Sequence, residues 1–170
     1  MDRPGLFLAM LSFPRTVLSL KQSTEPTQVQ ILTMIVLRHR KHRMSRAEDV
    51  AKVFQDLLRL EDKVDREREH LYVMHLNGRH QIKLVELVVI GTMTEVMVHP
   101  REVFRRAVKE GSAAIAIGHN HPSGEVSPSD MDLAFTKRIH EAGEILGIPL
   151  LDHIVFSETE FYSFQKEYEL

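Results

Sequence analysis

Residues 112–132 read "SAAIAIGHNHPSGEVSPSDMD", and the character of the chain changes twice within them. Residues 112–117 are small and apolar, the composition of a short buried strand. Residues 118–126 crowd Gly, Asn, His, Pro and Ser into a turn. Ser127 followed by Pro128 has the chemistry of a helix start, a hydroxyl cap with proline at the first helical position. Strand, turn, helix is the prediction. In an extended segment residues i and i+2 share a side, so His119 and His121 present both imidazoles to one point. Asn120 points away from them, which suits a backbone-bonding role. Asp132 is expected in the second turn of the helix, with Ser129 three residues earlier on the same face. The helix thus returns a carboxylate toward two imidazoles. Neutral histidines and a carboxylate are ligands that suit Zn²⁺. Three of them leave a fourth tetrahedral position for water, the arrangement of a catalytic site. Such a water can have its pKa lowered to about 7.

Working outward, the elements on either side predict an α/β chain. "TQVQILTMIVL" (27–37) is apolar enough for a helix or a strand, and its position after Pro26 and before "RHRKHR" (38–43) favours a helix. The basic cluster could touch phosphates, though a solvated helix end is the simpler reading. Ser45 and Glu48 make a capping box opening "RAEDVAKVFQDLLRL". Val50, Val53, Phe54, Leu57 and Leu58 then fall on one helical face. "KVDRERE" is a charged connector. From Glu69, "EHLYVMHL" alternates as a strand, "NG" (77–78) is a hairpin turn, and "RHQIKLVELVVIG" returns as its partner. Gly91 marks a bend or the end of that strand, and "TEVMVH" continues the sheet. Pro100 opens "PREVFRRAVKEG", which Gly111 closes. The helix after Pro128 runs to Gly147 with Ile139, Ala142 and Leu146 on one face. "PLLDHIVFS" is a last strand, and "EFYSF" a closing hairpin or turn. The expected architecture is a mixed sheet sandwiched by helices, not a doubly wound fold.

Composition narrows the chemistry. At 170 residues, with 43% hydrophobic and 27% charged residues, the chain is of ordinary globular make-up. With no cysteine, disulfides and thiolate metal sites are excluded. A net charge of −2 carries no signal for nucleic acid or membrane. "GLFLAMLSF" (5–13) is apolar, but Pro14 ends it, no small-residue cleavage site follows, and Asp2 spoils the positive start of a signal peptide. It also falls short of the ~20 residues a membrane helix needs. A cytoplasmic protein is expected, with residues 5–13 as a docking segment or tail.

H-x-H alone is a weak signal, but H-x-H, seven residues, Ser, two residues and Asp is a specific one. It resembles the JAMM motif of the JAB/MPN metalloprotease superfamily, and most closely the RadC-like branch. That branch is matched by "GT" (91–92), "VHPREVFRRAV" (98–108), "HNHPSG" (119–124), "PSDMD" (128–132) and "LLDHIVFSETEFYSF" (150–164). The resemblance covers about 45–165 and implies a JAB/MPN-like, cytidine-deaminase-like fold. It implies two segments, an N-terminal stretch 1–44 and a catalytic domain 45–170. It implies zinc held by His119, His121 and Asp132, with Ser129 placed for an oxyanion. Enzymes with this motif also use a distant glutamate as general base. The RadC-like pattern places an acid at the start of the hairpin, where Glu69 stands. Glu102 is the alternative, although an acid in a first turn also serves the helix dipole. Glu67, one strand step from Glu69, is the other. Many RadC-like proteins carry a DNA-binding helix-hairpin-helix region, of which residues before 45 show no sign.

Other residues are expected to be structural. Asp130 would reach back to the amide of the Ser127 cap. Ser123 lies in the turn without a nucleophile elbow around it. Glu125 is a solvated loop residue, and Asn120 fixes the loop. His153 is held in the sheet by hydrogen bonds, with work behind a ligand open to it. There is no H-E-x-x-H. The function implied by the resemblance is hydrolysis of an amide or isopeptide bond in a peptide or protein substrate. The alternatives are a non-catalytic scaffold in a DNA-repair or mobile-element complex and, less favoured, a metal-dependent nuclease. Degenerate scaffolds of the superfamily lose ligands, whereas here the His, His, Ser, Asp set is complete. Oligomeric state and substrate identity are left open.

Overall fold

The structure is a computed structural model that describes residues 34–37, 43–91 and 98–168. Among these residues six strands form one sheet in the order β1-β3-β2-β4-β5-β6. They are β1 (Met34–Leu37), β2 (Glu69–Leu76), β3 (Ile82–Gly91), β4 (Ala114–Asn120), β5 (Leu150–Phe156) and β6 (Phe161–Ser163). The helices are α1 (Ala47–Leu58), α2 (Lys63–Arg66), α3 (Pro100–Glu110), α4 (Asp130–Leu146) and α5 (Phe164–Tyr168). Only β4 and β5 run parallel, because α4 carries the chain back between them; every other pairing is antiparallel. The expected mixed α/β sheet between helices is what the chain forms.

Alternation along the strands divides the core into two layers. Tyr72, Met74, Ala116, Ile154 and Phe156 face α1, whose Val50, Phe54 and Leu57 fill that side. Leu71, Val73, Ile115 and Ile117 face the opposite way, onto Phe104 of α3 and Ile139 of α4. β4 is therefore buried along its whole length. Its first five residues, Ala114 to Gly118, are small or apolar for that reason. Gly118 is required by close approach. A β-carbon there would lie 2.4 Å from Phe54 Cδ2. The Phe54 ring is itself held at 5.9 Å between Tyr72 and Phe156.

Several sequence expectations shift. Met34–Leu37 is a strand, not the end of a helix: it pairs with the edge of β3, and Ile35 and Val36 suit an extended chain. The rest of 27–37, residues 5–13, residues 38–42 and most of "TEVMVH" lie outside the described residues. Arg43 makes an antiparallel bridge to Gln81 and is not a helix end. The α1 box is displaced by one residue. The Asp49 carboxylate, not that of Glu48, accepts from the amides of Arg46 (3.2 Å) and Ser45 (3.4 Å), and this frame buries Met44 and Ala47. The connector holds the short α2. Asn77 and Gly78 are not the two central residues of the hairpin turn. Asn77 opens a longer one, its Oδ1 accepting from Arg79 N (2.9 Å) and Gln81 N (3.0 Å). His80, at φ 55°, takes the left-handed position. Leu146 is exposed, the inner face of α4 being Phe135, Ile139 and Ala142. β5 is followed by the short antiparallel β6, the expected closing hairpin.

Candidate metal centre

The C-terminal end of β4 and the N-terminal end of α4 meet on the α3/α4 side of the sheet. His119 and His121 leave β4 two residues apart. The backbone of His121 is pinned by its amide donating to Phe156 O (2.9 Å), and Gly124 N–H closes the following turn onto His121 O (3.1 Å). Gly124 takes φ 88°, a left-handed conformation that glycine adopts without strain.

The helix then begins two residues later than the sequence suggested. Ser129 is the N-cap, not Ser127, and Asp132 stands at the third helical position of the first turn. The Ser129 hydroxyl accepts from Asp132 N (3.2 Å), while Asp132 Oδ2 accepts from Ser129 N (2.8 Å) and from the Ser129 hydroxyl (2.7 Å). Asp130, assigned above to the capping box, is instead the exposed first residue of the helix. S-x-x-D occurs twice in "SPSDMD". The frame taken is the one that aims the Asp132 carboxylate at the histidines.

The three side chains converge. His119 Nε2 lies 3.0 Å from His121 Nε2 and 3.2 Å from Asp132 Oδ1, and His121 Nε2 lies 3.7 Å from Asp132 Oδ2. The edge of a tetrahedron with bonds of about 2.0–2.1 Å is about 3.3 Å, and the three separations straddle it. His121 Nδ1 donates to Glu125 O (2.7 Å), which leaves a lone pair on Nε2 of the neutral ring. The Glu125 backbone thus orients the His121 ring, although its side chain is exposed as expected. His119 Nδ1 is taken up at 2.8 Å by His153 Nε2, so its Nε2 also faces the gap. Two imidazole nitrogens and a buried carboxylate around one point could hold a cation. These three residues are the one such group among the described residues.

The charges follow from this packing. Burial works against ionisation of Asp132, yet without a metal the facing His119 and His121 rings, which bond the carboxylate when protonated on Nε2, and the Ser129 hydroxyl hold its carboxyl well below the usual carboxylate range. Asp132, accepting a hydrogen bond from the protonated His121 ring, raises the pKa of His121 against partial burial, with Glu69 adding a smaller push. Complete burial keeps His153 far below the ordinary imidazole range.

The base candidates are separated by the strand register. β2 pairs with β4 so that Leu71 is opposite His119. The pairing ends there, and Glu69, two residues before Leu71 in β2, shares the sheet face of Leu71 and His119 by strand alternation. Asn120 secures this junction, its Oδ1 accepting from His70 N (2.7 Å) and its Nδ2 donating to Arg68 O (3.0 Å). It is the loop-fixing group expected. Glu67 is not in the strand at all but ends α2, exposed. Glu102 sits in the first turn of α3 beside Arg101 Nε (3.1 Å). His153 bonds to His119, and Asp152 ties β6 and α5 to β5 through Ser163 Oγ (2.8 Å) and Gln165 N (3.0 Å). Sequence reading overlooked Thr136, although it stands four residues after Asp132 on the same helical face. A cavity of about 240 Å³ opens beside His121, bounded by Arg66, Asn120, Ser157 and Glu158.

Sheet, crossover helix and convergent ligands define a JAB-type α/β domain with a His–His–Asp cluster that could bind a metal. The chain belongs to the family described as "RadC-like JAB domain", which matches residues 44–170. It is similar to proteins named only as UPF0758 protein. That of Chlorobium chlorochromatii is 44% identical over 102 residues, 60% of this chain and 46% of that one. That of Pelodictyon phaeoclathratiforme is 47% identical over 102 residues, covering the same shares. That of Alkaliphilus metalliredigens is 39% identical over 126 residues, 74% of this chain and 52% of that one. The chain spans about half the length of these curated relatives. Among the described residues no helix is long and apolar enough to cross a membrane.

Proposed function

We propose that residues 45–170 form a zinc-dependent hydrolase domain that cleaves an amide or isopeptide bond in a peptide or protein. The observation that carries this reading is the convergence of two imidazole Nε2 atoms, 3.0 Å apart, on the Asp132 carboxylate. Nitrogen and carboxylate ligands without thiolate suit zinc, and a three-residue protein set is the catalytic pattern. Bound there, zinc would polarise the scissile carbonyl and acidify a water.

The chain's own residues supply the rest. His119, His121 and Asp132 hold the metal. Glu69, at the start of β2 on the face of His119, is assigned to take a proton from the attacking water and deliver it to the leaving amine. Ser129 is assigned to the developing oxyanion. Its single hydrogen lies on Asp132 Oδ2 (2.7 Å), and swings to the substrate oxygen for that role. The cavity beside His121 offers the polar side chains of Arg66, Asn120 and Glu158 to a backbone or side chain of the substrate.

Metal analysis of the purified protein, joined to cleavage of a peptide library, tests the proposal. About one zinc per chain is expected, lost in the His119→Ala/His121→Ala double variant, with cleavage that requires the metal. Full zinc content in the double variant refutes the site. A zinc-loaded protein that cleaves no member of peptide and isopeptide libraries refutes the hydrolase.

A further inference from the structure

Thr136, one turn after Asp132 in α4, places its hydroxyl between two groups. Oγ1 lies 2.6 Å from Asp132 O and 2.6 Å from His153 Nδ1. A hydroxyl has one hydrogen, and a carbonyl oxygen can only accept. The hydrogen of Thr136 is therefore committed to Asp132 O. The same oxygen must then be the acceptor toward His153, so His153 Nδ1 carries a hydrogen. His153 is completely buried, stacked on Phe164 at 4.8 Å with Phe135 at its edge. Such a ring is neutral, and with its hydrogen on Nδ1 its Nε2 is bare. His153 Nε2 in turn lies 2.8 Å from His119 Nδ1 and can only accept there. The hydrogen between the two rings belongs to His119 Nδ1. His119 is left with its lone pair on Nε2, the atom turned to His121 and Asp132.

We propose that Thr136 and His153 are positioning residues of the metal centre: their one-way hydrogen-bond chain locks His119 in the tautomer that offers a bare Nε2 to the ion. The inference rests on the reading of the cluster as a metal site and deepens it. The direction of the chain is set at its far end by a backbone carbonyl, which cannot reverse. It also couples two ligands, since the carbonyl that fixes the direction belongs to Asp132. A helix that starts in the frame capped by Ser129 thus aligns one ligand directly and orients another through two side chains, Thr136 and His153. Partners of this kind are typically worth 10–100-fold in metal affinity.

Thr136→Val keeps the shape of the side chain and removes the acceptor, while Thr136→Ser restores it. Zinc dissociation constants from competition with a chromophoric chelator should be about 10–100-fold weaker in Thr136→Val, and near the parent value in Thr136→Ser. Ring ¹⁵N shifts of the unsubstituted, metal-free protein give an independent reading, with His153 expected as the Nδ1–H tautomer. Unchanged zinc affinity in Thr136→Val overturns the proposal while leaving the metal site standing. An Nε2–H tautomer at His153 overturns it even where Thr136→Val does not fold. A parent protein that binds no zinc, with His153 in the Nδ1–H form, refutes the metal reading itself and the positioning role with it.

Discussion

Replacing Gly118 by alanine tests the link between the core and the metal centre. The added β-carbon would stand 2.4 Å from Phe54 Cδ2 and 2.6 Å from Cε2. Carbon atoms in contact settle at about 3.5–4.0 Å, so the methyl group lacks roughly 1 Å of room. The ring cannot yield sideways, being fully buried and stacked at 5.9 Å on both Tyr72 and Phe156. Overpacking of this kind costs about 1–3 kcal/mol. For a domain of this size the expected fall in Tm is about 4–11 °C. The strain is relieved only when β4 moves away from α1, and the next residue is His119. Zinc affinity should therefore fall with stability. Thermal unfolding of the metal-free protein, followed by circular dichroism, measures the first effect, and a zinc competition titration the second. Phe54→Leu in the same chain makes room, so the double variant should be less destabilised than the two single costs together. An unchanged Tm in Gly118→Ala, or strictly additive costs, would refute the reasoning.

The other expectations concern the site itself. Ser129→Ala removes the α4 cap and the hydroxyl that holds Asp132 Oδ2. It should cost about 1 kcal/mol in denaturant unfolding, and an unaltered midpoint would speak against the cap. Glu69→Gln should keep fold and zinc while lowering hydrolysis by about 10²–10⁴, read in the cleavage assay; full activity moves the base elsewhere. Because the pKa of His121 is raised, protons should displace zinc at a higher pH than an ordinary imidazole allows, seen by dialysis across a pH series. In the metal-free protein the sign reverses. A group with a raised folded pKa stabilises below its unfolded value and loses that contribution as pH rises through the folded one. Stability should then fall on alkalinisation without zinc and on acidification with it. Weak, salt-sensitive DNA affinity at most is expected from a net charge of −2, and tight binding in a filter assay at physiological salt would contradict it.

Much of this protein can be read in the order of its residues. Period-two and period-3.6 patterns place β2, β3 and the apolar face of α1, because those patterns reflect which side of an element leaves water. H-x-H on a strand brings two imidazoles to one side whatever the surroundings. The absence of cysteine limits the ligands to nitrogen and oxygen. What the sequence leaves undecided are choices between locally equivalent frames. "SPSDMD" holds two capping boxes with equal intrinsic claims, and only the position of His119 and His121 across the gap makes the second the useful one. "MIVL" is strand because β3 offers an unpaired edge, a partner 50 residues away in the chain. Thr136 looks like any polar residue in a helix until β5 brings His153 to its hydroxyl. Glu69, Glu67 and Glu102 are alike as carboxylates, and the fold is what separates them: Glu69 opens β2, Glu67 ends α2 and Glu102 lies in the first turn of α3. Local sequence determines which groups can bond. The tertiary packing decides which of them meet, since that depends on neighbours that are remote along the chain.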